Sequence, residues 1–252
     1  MEQIRAFDRN VRLDLKEVLV KGERIIWRGA NLQEVDLTGV DLCKADLRGA
    51  NLSGANLSGA NLENAKLRQA NLNRANLEKA QLKNSDLQKA NLIEANLTKT
   101  CLQRANLEGA YLERAKLIQA NMIQTNLNLA QLIEAHLSEA SLFASDLTSA
   151  NLRNAILARA HMYTANLRNA FLWEADMREA DLTLANLTNA SLCFSNLVNA
   201  ILSFSNLNFA DLSGACLFNA QLKGAKFTGA YIRGVNFRKA EMTESVKNFY
   251  AY

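Results

Sequence analysis

Proline is missing altogether from the 252 residues, aromatic residues make up 7% of them, and there are only 2 histidines. A chain without proline keeps a donor on every backbone nitrogen, so no position is barred from a hydrogen-bonded ladder. No apolar run approaches the roughly 18 residues that a membrane span needs, which excludes a transmembrane helix. The opening stretch "MEQIRAFDRNVRLDLKEVLVKGERIIW" is charged throughout and has no apolar core of a secretory signal, so the expected location is the cytoplasm. Neither sign of charge dominates: 29 basic against 25 acidic residues leave a net +4, too mild to imply a nucleic-acid partner. The four cysteines, Cys43, Cys101, Cys193 and Cys216, are separated by 58, 92 and 23 residues. That spacing excludes a CxxC pair or a zinc-ligand set and leaves reduced, unpaired thiols.

What the chain does contain is a period. From Ala50 to Ala65 it reads "ANLSGANLSGANLENA", and the same pentad runs on without a spacer. With Leu as the centre, 43 centres fall at every fifth residue from Leu32 to Met242, and 36 of them are Leu. Two residues before each centre stands Ala in 34 of the 43, replaced otherwise by Ser, Thr or Val. The leading slot, just before the centre, is most often Asn or Asp, and the two trailing slots are mostly polar or charged.

Neither regular structure accommodates this spacing. A helix advances about 100° per residue, so Leu at every fifth position drifts around it and never forms one stripe. In a strand five is odd, so successive Leu would point to opposite faces. The pattern works only if the backbone turns a corner in every pentad, keeping Ala and Leu inside. That is a β-solenoid with one pentad per side.

The A(N/D)LXX tandem resembles the pentapeptide-repeat family over Ala30 to about Glu244, some 85% of the chain. The resemblance implies an all-β fold, a right-handed quadrilateral β-helix with four pentads per coil. Forty-three pentads would then make almost eleven coils, a column of about 50 Å at roughly 4.8 Å per coil. The implied organisation is a short N-terminal helical cap with a degenerate first pentad (1–29), the solenoid (30–244) and a C-terminal cap (245–252). Ile4, Phe7, Val11, Leu15 and Val18 recur at helical spacing, Lys21-Gly22 reads as a helix end, and Ile25 and Trp27 are in phase with the repeat. Phe249, Tyr250 and Tyr252 read either as a lid over the last coil or as a homodimer contact through that end.

An interior filled by Leu and Ala leaves no room for a ligand, so any site must assemble from outward residues about 20 apart. His136 and His161 occupy leading slots, and His161 falls between Ser141 and Asp181. No nucleophile or third ligand joins them, and no glycine-rich phosphate loop is present, so neither catalysis nor a metal or cofactor is expected. Charges form ladders instead: Arg74, Glu94, Arg114 and Glu134 alternate in sign at 20-residue steps, as do Glu139, Arg159 and Glu179. Such exposed pairs contribute little each but favour one stacking register.

The outward slots turn apolar part-way along. Over the 17 pentads from Leu32 to Leu112 only four of 51 outward slots are apolar, whereas over the 21 from Leu117 to Leu217 twenty of 63 are. Ile123, Phe143, Tyr163, Phe171, Trp173, Leu184, Phe194, Ile201 and Phe204 are therefore the candidate interaction surface, since an exposed apolar patch usually marks a contact surface; the other reading is repeat drift, with bulky residues that merely shield corners. The expected function is a non-enzymatic protein-protein interaction module with a protein partner, neither nucleic acid nor membrane. The resemblance extends to long Leu-centred cyanobacterial members, some of which control heterocyst differentiation. It also offers an alternative, DNA mimicry of the kind that binds gyrase and confers quinolone resistance. Duplex DNA carries about one negative charge per 1.7 Å, so a mimic of this length needs on the order of −30. Residues 30–244 carry 21 basic and 20 acidic groups, a net of +1. Phe centres and projecting loops, which mark the gyrase-type members, are also not the pattern here.

Overall fold

The computed structural model describes residues 25–242, and over that span the pentads repeat one conformation. The two trailing residues form a turn, closed where the next Ala-slot N–H donates to the carbonyl of the centre, as Ala50 does to Leu47 at 3.0 Å. The second trailing residue has a positive φ in every pentad from Gly29 to Lys239. That is the signature of a type II turn, and it penalises β-branched side chains. Accordingly Thr164 is the one β-branched residue in that slot, whereas the first trailing slot accepts Ile93, Ile118, Ile123, Ile133 and Val198.

Bridges between leading slots run parallel at a constant offset of 20 residues, from Ile26 with Asp46 to Cys216 with Asn236. At the end of the series they widen into two short strands, β1 (Gln221–Leu222) and β2 (Glu241–Met242), paired in parallel. Twenty residues per coil means four sides. Side 1 carries centres Trp27, Leu47 and so on to Phe227; side 2 runs from Leu32 to Ile232, side 3 from Leu37 to Phe237, and side 4 from Leu42 to Met242. Each corner takes the number of the side it ends.

The backbone ladder explains the commonest polar residue. In the pentad Ala50–Gly54, Asn51 N–H donates to Ala30 in the coil before (2.9 Å), while Leu52 and Gly54 N–H donate to Asn71 and Asn73 in the coil after (2.7 and 2.8 Å). With the turn bond, only the first trailing N–H lacks a backbone acceptor. An Asn or Asp in the leading slot supplies one: Ser53 N–H donates to Asn51 Oδ1 at 3.2 Å, and Thr183 N–H to Asp181 Oδ1 at 3.0 Å. This Asx turn closes the corner. The amide nitrogen then reaches the coil before, as Asn71 Nδ2 does to Asn51 Oδ1 (3.0 Å), so the sides carry asparagine ladders.

Leucine centres from Leu32 to Leu222 are fully buried, and Trp27 is nearly so, which makes Ile25–Gly29 a complete first pentad of the column. Where Ser or Thr replaces Ala, its buried hydroxyl donates to a leucine carbonyl: Ser85 to Leu82 (2.7 Å), Thr100 to Leu77 (2.9 Å), Thr125 to Leu102 (2.8 Å). Each substitution is thereby satisfied inside an apolar core. Near the start, buried Asp46 is held by Arg28 and Arg48, each at 2.7 Å. The Arg48 guanidinium foremost, and then that of Arg28, keeps its carboxyl well below the usual carboxylate range. The proposed helical cap with Ile4, Phe7, Val11, Leu15 and Val18, and the tail with Phe249, Tyr250 and Tyr252, lie outside the described residues.

Candidate interaction surface

The coil register assigns the nine apolar candidates to two separate sides. Ile123, Phe143 and Tyr163 follow one another in the first trailing slot of corner 4; Leu184 and Phe204 continue in its second slot, and Ile201 sits on side 4 itself. Phe143 and Tyr163 stack nearly flat, with centroids 5.7 Å apart and planes 6° from parallel. Phe171, Trp173 and Phe194 belong to side 2 and its corner, across the column. There Trp173 stacks on Phe194 at 6.5 Å, and the Arg153 guanidinium lies 5.0 Å above the indole. Leu184, Phe194 and Phe204 are about half exposed, and Ile123 and Ile201 are half-buried.

Two features went unread in the sequence. Phe194, Phe204 and Phe209 each lie over a glycine in the next coil, at three different corners. A Cβ added to Gly214, Gly224 or Gly229 would sit 2.6, 2.5 and 2.5 Å from the ring above it. The signal was available as Phe and Gly spaced by one coil, 20 residues, in the second trailing slot. The second feature concerns the leading slots. Where Ile156, Phe171 or Ile201 stands in place of Asn, the corner loses its Asx acceptor. These apolar residues therefore cost the fold a bond instead of serving it.

Charge is distributed as unevenly as bulk. Take the five coils from Ile123 to Phe209, and on them side 1 with the corners at both its edges. Of these 25 outward residues only Asp146 and Arg168 are charged. The opposite face, side 3 with corners 2 and 3 from Ile133 to Asn219, holds eight charges, among them Arg159 bridged to Glu139 (3.7 Å) and Glu179 (3.1 Å). At the lower end of corner 4 an open hollow of about 210 Å³ is lined by Lys83, Gln103, Arg104, Ile123 and Gln124. Arg104 Nε donates to Gln124 Oε1 at 2.9 Å, a neutral partner.

Reactive groups are sparse. His161 is in register with Ser141 and Asp181, and His136 Nε2 lies 2.9 Å from Ser138 Oγ. Burial pushes the Cys193 thiol up, away from the reactive thiolate, and the four cysteines are unpaired. Among the described residues, no three His, Cys, Asp or Glu are grouped to hold a metal, and no helix is long and apolar enough to cross a membrane.

The profile of the family "Pentapeptide repeats (8 copies)" matches residues 30–69, 70–109, 110–148, 145–183, 185–224 and 215–246. The chain belongs to the pentapeptide-repeat family. Its four-sided column is thus the right-handed quadrilateral β-helix of pentapeptide-repeat proteins. No curated protein matches the chain. Among solved structures it is similar to HetL, a pentapeptide repeat protein involved in heterocyst differentiation regulation from the cyanobacterium Nostoc sp. Strain PCC 7120. The two share 32% identity over 91% of this chain and 95% of that one, with a TM-score of 0.37. QnrB1, a plasmid-mediated fluoroquinolone resistance protein, is 12% identical over 90% of this chain and 95% of that one, with a TM-score of 0.38. Rfr23, a pentapeptide repeat protein from the cyanobacterium Cyanothece 51142, is 25% identical over 55% of this chain and 88% of that one, at 0.27.

Proposed function

We propose that this pentapeptide-repeat protein is a non-enzymatic, cytoplasmic interaction module that presents a rigid side of its column to a protein partner. The observation that carries the reading is corner 4, where Ile123, Phe143, Tyr163, Leu184 and Phe204 follow one another over five coils without a charged residue between them. None of these side chains is needed by the turn, since polar and charged residues such as Glu63, Asn64, Lys83 and Gln103 fill the same slots in the earlier coils. Aromatic and aliphatic groups held at fixed spacing on a rigid support lose little entropy on binding. The test is affinity capture from the native cells with mass spectrometry, comparing wild type with the triple variant Phe143→Ser, Tyr163→Ser, Phe204→Ser. The variant is expected to lose the partner; recovery of the same partners would sink the surface.

A regulatory role in cyanobacterial cell differentiation is the narrower form of this proposal, and it stands only if the captured partner belongs to such a circuit. The gyrase-binding alternative has the net charge of +1 over residues 30–244 against it. Inhibition of gyrase supercoiling by submicromolar protein would reverse that preference.

A further inference from the structure

We infer that the charge-poor face, side 1 with corner 4 along its edge, docks a second copy of this chain with the two columns antiparallel. The inference rests on the interaction reading above and names the occupant of that same surface. Consider a two-fold axis lying in the face, across the column, midway between the coils of Asp146 and Asn166. Such an axis reverses the order of the coils but leaves each corner opposite its own kind, an isologous contact. Phe143 then faces Tyr163 of the second copy, and Tyr163 faces its Phe143, so two flat stacks meet. Ile123 comes opposite Leu184 in the same way.

Two further observations fit the same axis. The only charges among the 25 outward residues of this face, Asp146 and Arg168, have opposite sign and lie one coil apart. The axis brings Asp146 of each copy to Arg168 of the other, so the face pairs both of its own charges. Phe204, about half exposed and leaning over Gly224, comes opposite the coils that hold Lys83, Gln103 and Arg104. These residues line the open hollow of about 210 Å³, which receives the ring, and Arg104 offers it an exposed guanidinium that no carboxylate among the described residues pairs. A parallel arrangement fails on both counts. It would lay the apolar corner 4 against corner 1, where Asn128, Thr148, Arg168, Thr188 and Asn208 fill the first trailing slots and only Leu129 and Phe209, at the two ends, are apolar.

Sedimentation equilibrium of the full chain, from low to high micromolar concentration, tests this directly. The wild type is expected to dimerise reversibly, and Tyr163→Asp to weaken the dimer at least tenfold. Asp146→Arg alone sets Arg against Arg, and Arg168→Asp alone sets Asp against Asp, so each is expected to be monomeric where the wild type is dimeric. An equimolar mixture of these two variants should recover a heterodimer, because each contact again joins Arg to Asp. A folding defect cannot produce recovery on mixing. A wild type that stays monomeric throughout, a dimer insensitive to Tyr163→Asp, or no recovery on mixing would each overturn the proposal. A monomer that still captures a foreign protein through Phe143, Tyr163 and Phe204 overturns only the second copy, leaving the interaction module in place.

Discussion

Gly59 and Gly224 occupy the same slot of the same turn, yet one corner is bare and the other lies beneath a phenylalanine ring. A Cβ on Gly59 would meet nothing within 4 Å; on Gly224 it would collide with Phe204. The contrast extends to the halves of the column around them. From Leu32 to Leu112 the outward residues serve the coil: asparagines close corners, ladders run from coil to coil, and Arg74 bridges Glu94 at 2.8 Å. From Leu117 onward the core stays closed, with buried Met122, Met162 and Met177 among its leucines, but bulky side chains appear outside that no turn requires, and some of them displace the corner-closing asparagine. The lesson is that the two halves share one folding code and only the second carries an additional message on its surface.

The comparison breaks most visibly if the cores are not equivalent. Leu72→Ala and Leu172→Ala, both buried on side 2, should each cost about 2–5 kcal/mol in urea unfolding, with similar values in spite of different surroundings outside. A much smaller loss at Leu172 would mean that the second half has traded core for surface. Next in size is the glycine contrast. Gly59→Ala meets only the positive φ, about 1–2 kcal/mol, whereas Gly224→Ala adds a clash worth about 1–3 kcal/mol more. Removing the ring with Phe204→Ala should return that excess; equal losses at the two glycines would show that the ring swings away freely.

A smaller effect distinguishes the start of the column by pH. The Asp46 carboxyl titrates lower in the folded protein than in the unfolded chain. Its contribution is therefore complete above the ordinary carboxylate range and is lost as the pH falls toward the depressed folded value. The stability gap between wild type and Asp46→Asn should hold steady from neutral pH down to about 4 and shrink below it. A gap that narrows near neutrality would assign the effect to another group. Smallest of all is Arg114→Gln, which removes an exposed pair with Glu134 (2.7 Å) and should leave the unfolding midpoint within error.

Much of this architecture was legible because a five-residue period is incompatible with helix and strand alike. Leu, Ala and the outward slots sorted themselves by that argument alone. The number of sides did not follow from the period; it came from the resemblance, and the 20-residue bridges agree with it. The reason for Asn51 and its counterparts lay hidden, because an Asx acceptor matters only once the other four backbone donors are known to be engaged. The seats of Phe194, Phe204 and Phe209 escaped for a similar reason. That corner side chains lean toward the following coil, as Arg74 does to Glu94 and Phe204 to Gly224, is a property of the turn and not of the period. Nine apolar residues read as one set divided between sides once each was given its angle around the axis.

A coil of four identical steps also behaves as a rotary register. Deleting twenty residues would shorten the column by one turn and leave every surviving surface aligned with what lies beneath it. Inserting five would leave the leucines inside and the ladder unbroken, but would swing everything downstream through a quarter turn. With one extra pentad after Ala120, Ile123 would rest over Glu108 instead of Gln103, and the apolar edge would point to a new quarter of space. Phasing of the surface, independent of fold and stability, is thus written in the number of pentads that separate two patches.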